Sequence, residues 1–204
     1  MERSAIEIHI RDYRAEDAIK VVGVFRDAYD ALRKSKGGMH PDEEVDRVLQ
    51  RSDGHILKRM THRVILVVAE VKGTAKIVGT GGIGWSVAGR VLRTAYSRNH
   101  YVEKAFQRGK AGVRVGTILR YATIEKAKTM GFRKIYGFST PESKGFHQKF
   151  GAVFLPKHDI KFSESSVRFS YYEICLRPSI WNHITVEPYL IKLSNLYHHK
   201  QRRR

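Results

Sequence analysis

Apolar and polar residues alternate along this chain in segments whose period changes, and each change of period marks an element. Ala5 to Arg11 alternates, with Ile6, Ile8 and Ile10 on one face, and predicts an opening strand. Asp12 to Leu32 then predicts a helix, with Ile19, Val22, Phe25 and Tyr29 near helical spacing. Ser35 to Pro41 reads as a loop and Asp42 to Leu49 as a short acidic helix. Val64 to Val71 and Ala75 to Trp85 are β-rich runs joined by Lys72-Gly73-Thr74, a hairpin pattern. Gly79, Gly81 and Gly82 weaken the second run and predict a bulge or a close approach of another backbone. Residues 86–98 carry no clear period, and His100 to Phe106 reads as the next strand.

Phe106 to Gly131 is organised differently. Glycines at 109, 112 and 116 permit a tight turn, and a helix of about four turns follows. The free N–H groups and dipole at the start of that helix make an anion site. Val115, Ile118, Leu119, Ala122 and Met130 share one stripe, which Lys126 interrupts and Ile124 opposes. Lys126 and Lys128 suit the last turns and Gly131 the C′ position. Lys134 to Phe138 is a strand, so the segment is a β-α-β unit built around a phosphate turn. Beyond it come a short helix from Ser143 to Phe150, a strand near Ala152 and a strand from Ser166 to Leu176. Ile184 to Tyr197 predicts a last helix before the basic end HHKQRRR.

Length and composition change the picture in two respects. A chain of 204 residues supports a core of ordinary size, and 42% apolar residues argue against disorder. No apolar run reaches membrane-spanning length, and the first residues lack a signal-peptide pattern, so a cytoplasmic location is expected. The lone Cys175 in a β-like run is expected to be a buried thiol. No His, Cys and acid spacing suggests a metal. The formal charge of +18 is extreme, and Ala88 to Lys134 alone holds 12 Lys or Arg against Glu103 and Glu125. That excess suits a solvated surface, an anionic cofactor or nucleic acid.

The interval from Gly116 to Gly131 resembles, in its spacing, the acyl-CoA-binding motif of the GNAT superfamily of N-acyltransferases. That motif is Q/R-x-x-G-x-G/A, a long helix, a closing Gly and a strand. In this register Gly116 matches the last glycine, Arg114 stands at the first and Ala111 in the Gln/Arg slot. A second register starts at Arg108, with Ala111 in a glycine slot. GFHQKFGAVF resembles the family's "fYeklGF" segment: Phe146 takes the aromatic place, His147 the tyrosine's, and Lys149, Phe150 and Gly151 match. VVAEVKGTAKIVGTGGIGW resembles the central hairpin, and IEIHIRDYRAEDAIKVVGVF the opening strand and helix, so the likeness covers residues 5 to 177.

This resemblance implies an α/β (α+β) fold, a mixed and mostly antiparallel central sheet flanked by helices around a β-α-β acyl-CoA site. It implies a domain over residues 1–178 with an extension over 179–204. It also implies an N-acetyltransferase using acetyl-CoA or another acyl-CoA, whose thioester an unidentified amine attacks directly. The pyrophosphate would be held by main-chain groups of Gly112, Val113, Arg114, Val115, Gly116 and Thr117, with Lys110 and Arg114 adding charge, unless the Arg114 side chain points away. Ala105 and Phe106 would lie on the cofactor strand, near an oxyanion donor. His147 would protonate the leaving thiolate, and His100 or Glu103 would be the base. Ser143 would be a cofactor ligand or a helix cap, and Tyr29 and Asp30 would wall the acceptor pocket unless they serve packing. The competing reading is a nucleic-acid-binding module on a catalytically degraded GNAT-like scaffold, or an acyltransferase directed at RNA or a ribonucleoprotein.

Overall fold

A computed structural model of the chain describes residues 6–34, 38–109, 111–161 and 166–176. Lys110, part of the expected loop at 35–41, and the expected C-terminal helix with its extension lie outside them. The strands are β1 (Ile8–Asp12), β2 (Val64–Val71), β3 (Lys76–Gly84), β4 (Thr94–Val102), β5 (Lys134–Ser139), β6 (Val153–Phe154), β7 (Ile160–Lys161) and β8 (Arg168–Cys175). The helices are α1 (Ala18–Asp30), α2 (Asp42–Leu49), α3 (Asp53–Thr61), α4 (Val87–Val91), α5 (Val115–Thr129) and α6 (Lys144–Gln148). The sheet runs β1-β2-β3-β4-β5-β8-β6, with β7 on β8. Every pairing between these strands is antiparallel except β4 with β5. This is the mixed, mostly antiparallel sheet expected.

Alternation along β2 divides the core. Leu66 and Val68 pack with Val21, Val22, Phe25, Ile56 and Met60 of α1 and α3. Val67 and Ala69 face the other way, onto Val115 and Leu119 of α5. The glycines of β3 let α5 lie close. A Cβ on Gly79 would fall 2.8 Å from Leu119 and 3.0 Å from Val115, and one on Gly81 3.1 Å from Thr123. Both expectations for this strand hold, because its ladder to β4 also slips between Thr80 and Gly82. There Asn99 and His100 together oppose Gly81, and Asn99 takes φ 57°.

Residues 86–98 show no single period because they hold α4 and the first part of β4, and β4 over Thr94–Val102 corrects the expected strand His100–Phe106. The strand ends at Val102, where the Asp27 carboxylate accepts the N–H of Lys104. Lys104–Gly109 forms 3-10 turns kinked at Gln107 and Arg108. α1 also starts later than expected. The Asp17 carboxylate accepts from the Arg14 N–H at 2.8 Å and pairs with Arg11 at 2.7 Å, which holds residues 13–17 out of the helix. Ile19, placed on the buried stripe by spacing, is 84% exposed. Cys175 is exposed, not buried, because it closes β8 at the sheet's end.

Candidate active site

Helix α5 begins at Val115, with Arg114 as its N-cap, which favours the register ending on Gly116. Gly109 and Gly112 have φ of 75° and 77°, a backbone that side chains rarely adopt. The N–H groups of Thr117 and Ile118 are spent on the Arg114 carbonyl, at 3.0 and 3.2 Å. The Gly112 N–H is likewise spent on the Gly109 carbonyl at 2.9 Å, so Gly112 and Thr117 are removed from the expected donors, leaving Val113, Arg114, Val115 and Gly116. The Arg114 side chain folds back over the turn, its Cγ 3.7 Å from where a Gly109 Cβ would stand. A 15-residue helix starting at a glycine turn with two arginines beside it, Arg108 and Arg114, fits a pyrophosphate.

Next to this turn the sheet opens. β4 and β5 pair only at Thr94–Lys134, Ala95–Ile135 and Tyr96–Tyr136. Among the described residues no strand pairs with the β5 side of β4 from Ser97 to Val102, where only the Val102 carbonyl is met, by Gln107 Nε2 at 2.8 Å, or with the β4 side of β5 from Gly137 to Ser139. Unpaired main-chain groups inside a sheet call for a partner, and an amide-bearing arm such as that of CoA can supply it.

A buried polar cluster crosses the narrow end of this opening. Arg120 of α5 is fully buried. Its Nη1 donates to Ser97 Oγ at 2.6 Å and approaches His100 Nε2 at 3.4 Å, and its Nη2 donates to the Tyr172 hydroxyl at 3.0 Å. Tyr172 reaches that point over Gly137, where a Cβ would fall 2.6 Å from the hydroxyl. His147 stacks on the Tyr172 ring at 4.3 Å. No carboxylate joins Arg120 among the described residues, and its Nε and His147 Nδ1 are buried without partners.

Burial first, then the Arg120 charge, pushes His147 down to about 3. At neutral pH His147 is therefore an uncharged imidazole, so a donor role for it would have to be that of neutral imidazole. Burial, Arg120 and His147 likewise hold His100 well below the ordinary histidine value. A guanidinium only donates, so His100 directs its Nε2 lone pair at Arg120 and carries its proton on Nδ1. That geometry speaks against His100 as the base. Glu103 is not brought to the cluster: it pairs with Lys76 at 2.8 Å and lines a separate cleft with Lys20 and Asp27 of α1.

Ala105 and Phe106 lie in the 3-10 turns, and Phe106 is buried against Val115 and Leu119 in the core. The strand edge that faces the opening is instead Ser97–Val102 of β4. Ser143 makes no cap bond to α6; its hydroxyl meets Ser139 Oγ at 2.9 Å and Thr140 Oγ1 at 3.0 Å. Tyr29 packs against Phe25 at 5.0 Å, and Asp30 pairs with Arg33 at 2.6 Å. Part of the basic segment is neutralised internally: Lys126, Lys128 and Lys134 pair with Asp12, Glu125 and Glu173, each at 2.7 Å.

Sequence reasoning missed Arg120, Tyr172 and Ser97. The one available signal was a charged residue next to Leu119 on the helix carrying the phosphate turn.

No family model and no curated protein matches the chain. Solved structures do. A GCN5-related N-acetyltransferase from Rhodopseudomonas palustris is 15% identical, with a TM-score of 0.64 over 85% of this chain and 99% of its own. PaiA N-acetyltransferase from Thermoplasma acidophilum, solved in complex with coenzyme A, is 14% identical, with a TM-score of 0.62 over 83% and 99%. A Salmonella typhimurium protein solved with its cofactor acetyl-CoA is 17% identical, with a TM-score of 0.60 over 85% and 96%. With one parallel pair opening beside a helix that follows a glycine turn, and with these superpositions, the chain has the fold of the GNAT N-acetyltransferases.

Proposed function

We propose that the protein is an acyl-CoA-dependent N-acyltransferase. The observation that carries this reading is the parting of β4 and β5 after three pairs, which leaves an opening whose far end, at Val102, adjoins the N-terminus of α5. Structural neighbours solved with coenzyme A or acetyl-CoA support it. Bound acyl-CoA supplies an activated thioester whose sulfur leaves with the C–S electron pair.

Val115 and Gly116 N–H groups, with Arg108 and Arg114, hold the pyrophosphate. The open edge of β4 orients the pantetheine amides, and the bulge at Asn99–His100 leaves main-chain groups outside the β3 ladder to polarise the carbonyl. The acceptor amine forms the C–N bond as the C–S bond breaks. Tyr172 is the proton donor to the departing sulfur. Its oxygen already accepts from Arg120, so its own O–H is directed elsewhere. Neutral His147 holds the Tyr172 ring by stacking. With both histidines weakly basic and Glu103 paired on the far side, the amine gives its proton to water, and water reprotonates Tyr172.

The test is binding. CoA should raise Tm as RT ln(1 + [L]/Kd), and Gly116→Glu should abolish that rise by placing a carboxylate at the phosphate. A folded Gly116→Glu protein with an unchanged CoA shift would overturn this assignment of the turn.

A further inference from the structure

Among the described residues, no negative group meets the positive charge of Arg120. Isolated charges are costly to bury and are normally paired. Here the groups around the guanidinium, namely Ser97, His100, Tyr172 and the nearby His147, are all neutral at pH 7 or lack a negative charge. The guanidinium also bridges Ser97 on β4 and Tyr172 on β8, which would account for its being there as a brace. A brace does not account for the two atoms left over. Arg120 Nε and His147 Nδ1 are buried polar atoms of one cluster, and neither finds a hydrogen-bond partner among the described residues. His147 is itself only 8% exposed and Arg120 0%. Both belong to the face of the sheet on which α5 lies.

The placement of the cluster says what could reach it. Arg120 lies one helical turn, about 6 Å, beyond Gly116 on the helix that carries the phosphate turn. The turn is at the wide end of the opening, following Val102, and Arg120 is at the narrow end, at Ser97. A thioester held by its phosphate at the turn therefore directs its acyl end toward Arg120. We propose that this end carries a carboxylate, one oxygen accepting from Arg120 Nε and the other from His147 Nδ1, so that the group transferred is a dicarboxylic acyl group such as succinyl.

This inference rests on the acyltransferase reading and narrows it. Acetyl has no atom to pair with a guanidinium beyond its carbonyl oxygen, whereas a dicarboxylic chain restores neutrality to the cluster. The chemistry at the thioester is unchanged: the C–N bond forms, the C–S bond breaks, and the distal carboxylate takes no part.

Calorimetric titration of the full chain with free CoA, acetyl-CoA and succinyl-CoA tests it. Succinyl-CoA should bind about tenfold or more tightly than acetyl-CoA, as a charge-assisted bond in a dry site predicts. Arg120→Gln should erase that ratio, each thioester being compared with free CoA on the same variant, and His147→Phe, which keeps the stacked ring, should reduce it. Equal binding of the two thioesters by a wild-type protein that binds free CoA overturns the carboxylate and leaves the acyltransferase reading standing. Failure to bind any of the three overturns both.

Discussion

Arg120 of α5 donates to the hydroxyl of Tyr172 on β8 at 3.0 Å, and so ties helix to strand beneath the gap between β4 and β5. If that hydroxyl protonates the leaving sulfur, Tyr172→Phe should lower kcat about 100-fold. The phenyl ring still fills the space over Gly137 and still stacks on His147, so CoA affinity should stay near wild type. Steady-state kinetics with an identified acceptor decides the matter, and an undiminished kcat would remove Tyr172 from the chemistry.

Acid should destabilise the protein through its two buried histidines. Both have folded values below the ordinary 6.5, His147 at about 3. The unfolded chain therefore binds more protons between those values, and stability rises with pH across that window. It is fully present above about pH 6.5 and is lost as pH falls toward 3, at up to about 1.4 kcal/mol per unit for each histidine. Urea midpoints at pH 7 and pH 5 measure it. His147→Phe should flatten the slope, and an unaltered slope would mean that His147 is not held neutral.

How much of the molecule is legible in the sequence varies with the physics at each residue. The helix from the phosphate turn to Gly131 is readable because its spacing and stop residue are local, but its buried face is turned from the expected stripe: Ile124, set opposite that stripe, is buried. Arg120 and Thr123 are not readable, because they sit in the middle of its buried face and look like solvent-side residues. The expected strand at β4 starts several residues late, since residues 86–98 hold α4 and the first part of β4 and show no single period. α3 escapes notice outright: in DGHILKRMT only Ile56 and Met60 are buried. The site suffers most. Its members come from α5, α6, β4 and β8, and pairing across a sheet leaves no trace in spacing.

Two glycines with open surroundings should respond oppositely to alanine. Around Gly23 in α1 and Gly112 in the phosphate turn, no atom lies within 4 Å of where a Cβ would stand. Gly23 is helical, so Gly23→Ala should stabilise by about 0.4–1 kcal/mol. Gly112 has φ 77°, so Gly112→Ala should destabilise by about 1–2 kcal/mol. Chemical denaturation of the two variants gives the signs, and a neutral Gly112→Ala would show that the turn relaxes.

Arg11 secures the entry to α1. It donates to both Asp17 oxygens, at 2.7 and 2.8 Å, and to Glu70 at 2.6 Å. Arg11 holds the Asp17 carboxyl below its usual value. Arg11→Met would strand a buried carboxylate and should cost about 3–5 kcal/mol at pH 7. Asp17→Asn in the same background should recover part of it, and no recovery would assign the loss to packing.

The single parallel ladder of the sheet, three residue pairs long, has a mechanical consequence. On one side β1 to β4 form an antiparallel meander, and on the other β5, β6 and β7 each pair antiparallel with β8. Between them run the few hydrogen bonds at Thr94–Tyr96, the packing of α5 and the Arg120 bridge. The two units meet at a seam rather than a continuous fabric, and widening the gap stretches a handful of bonds instead of unzipping a strand. Amides along that seam, and not those of the β2–β3 ladder, should therefore be the first of the sheet to exchange with solvent.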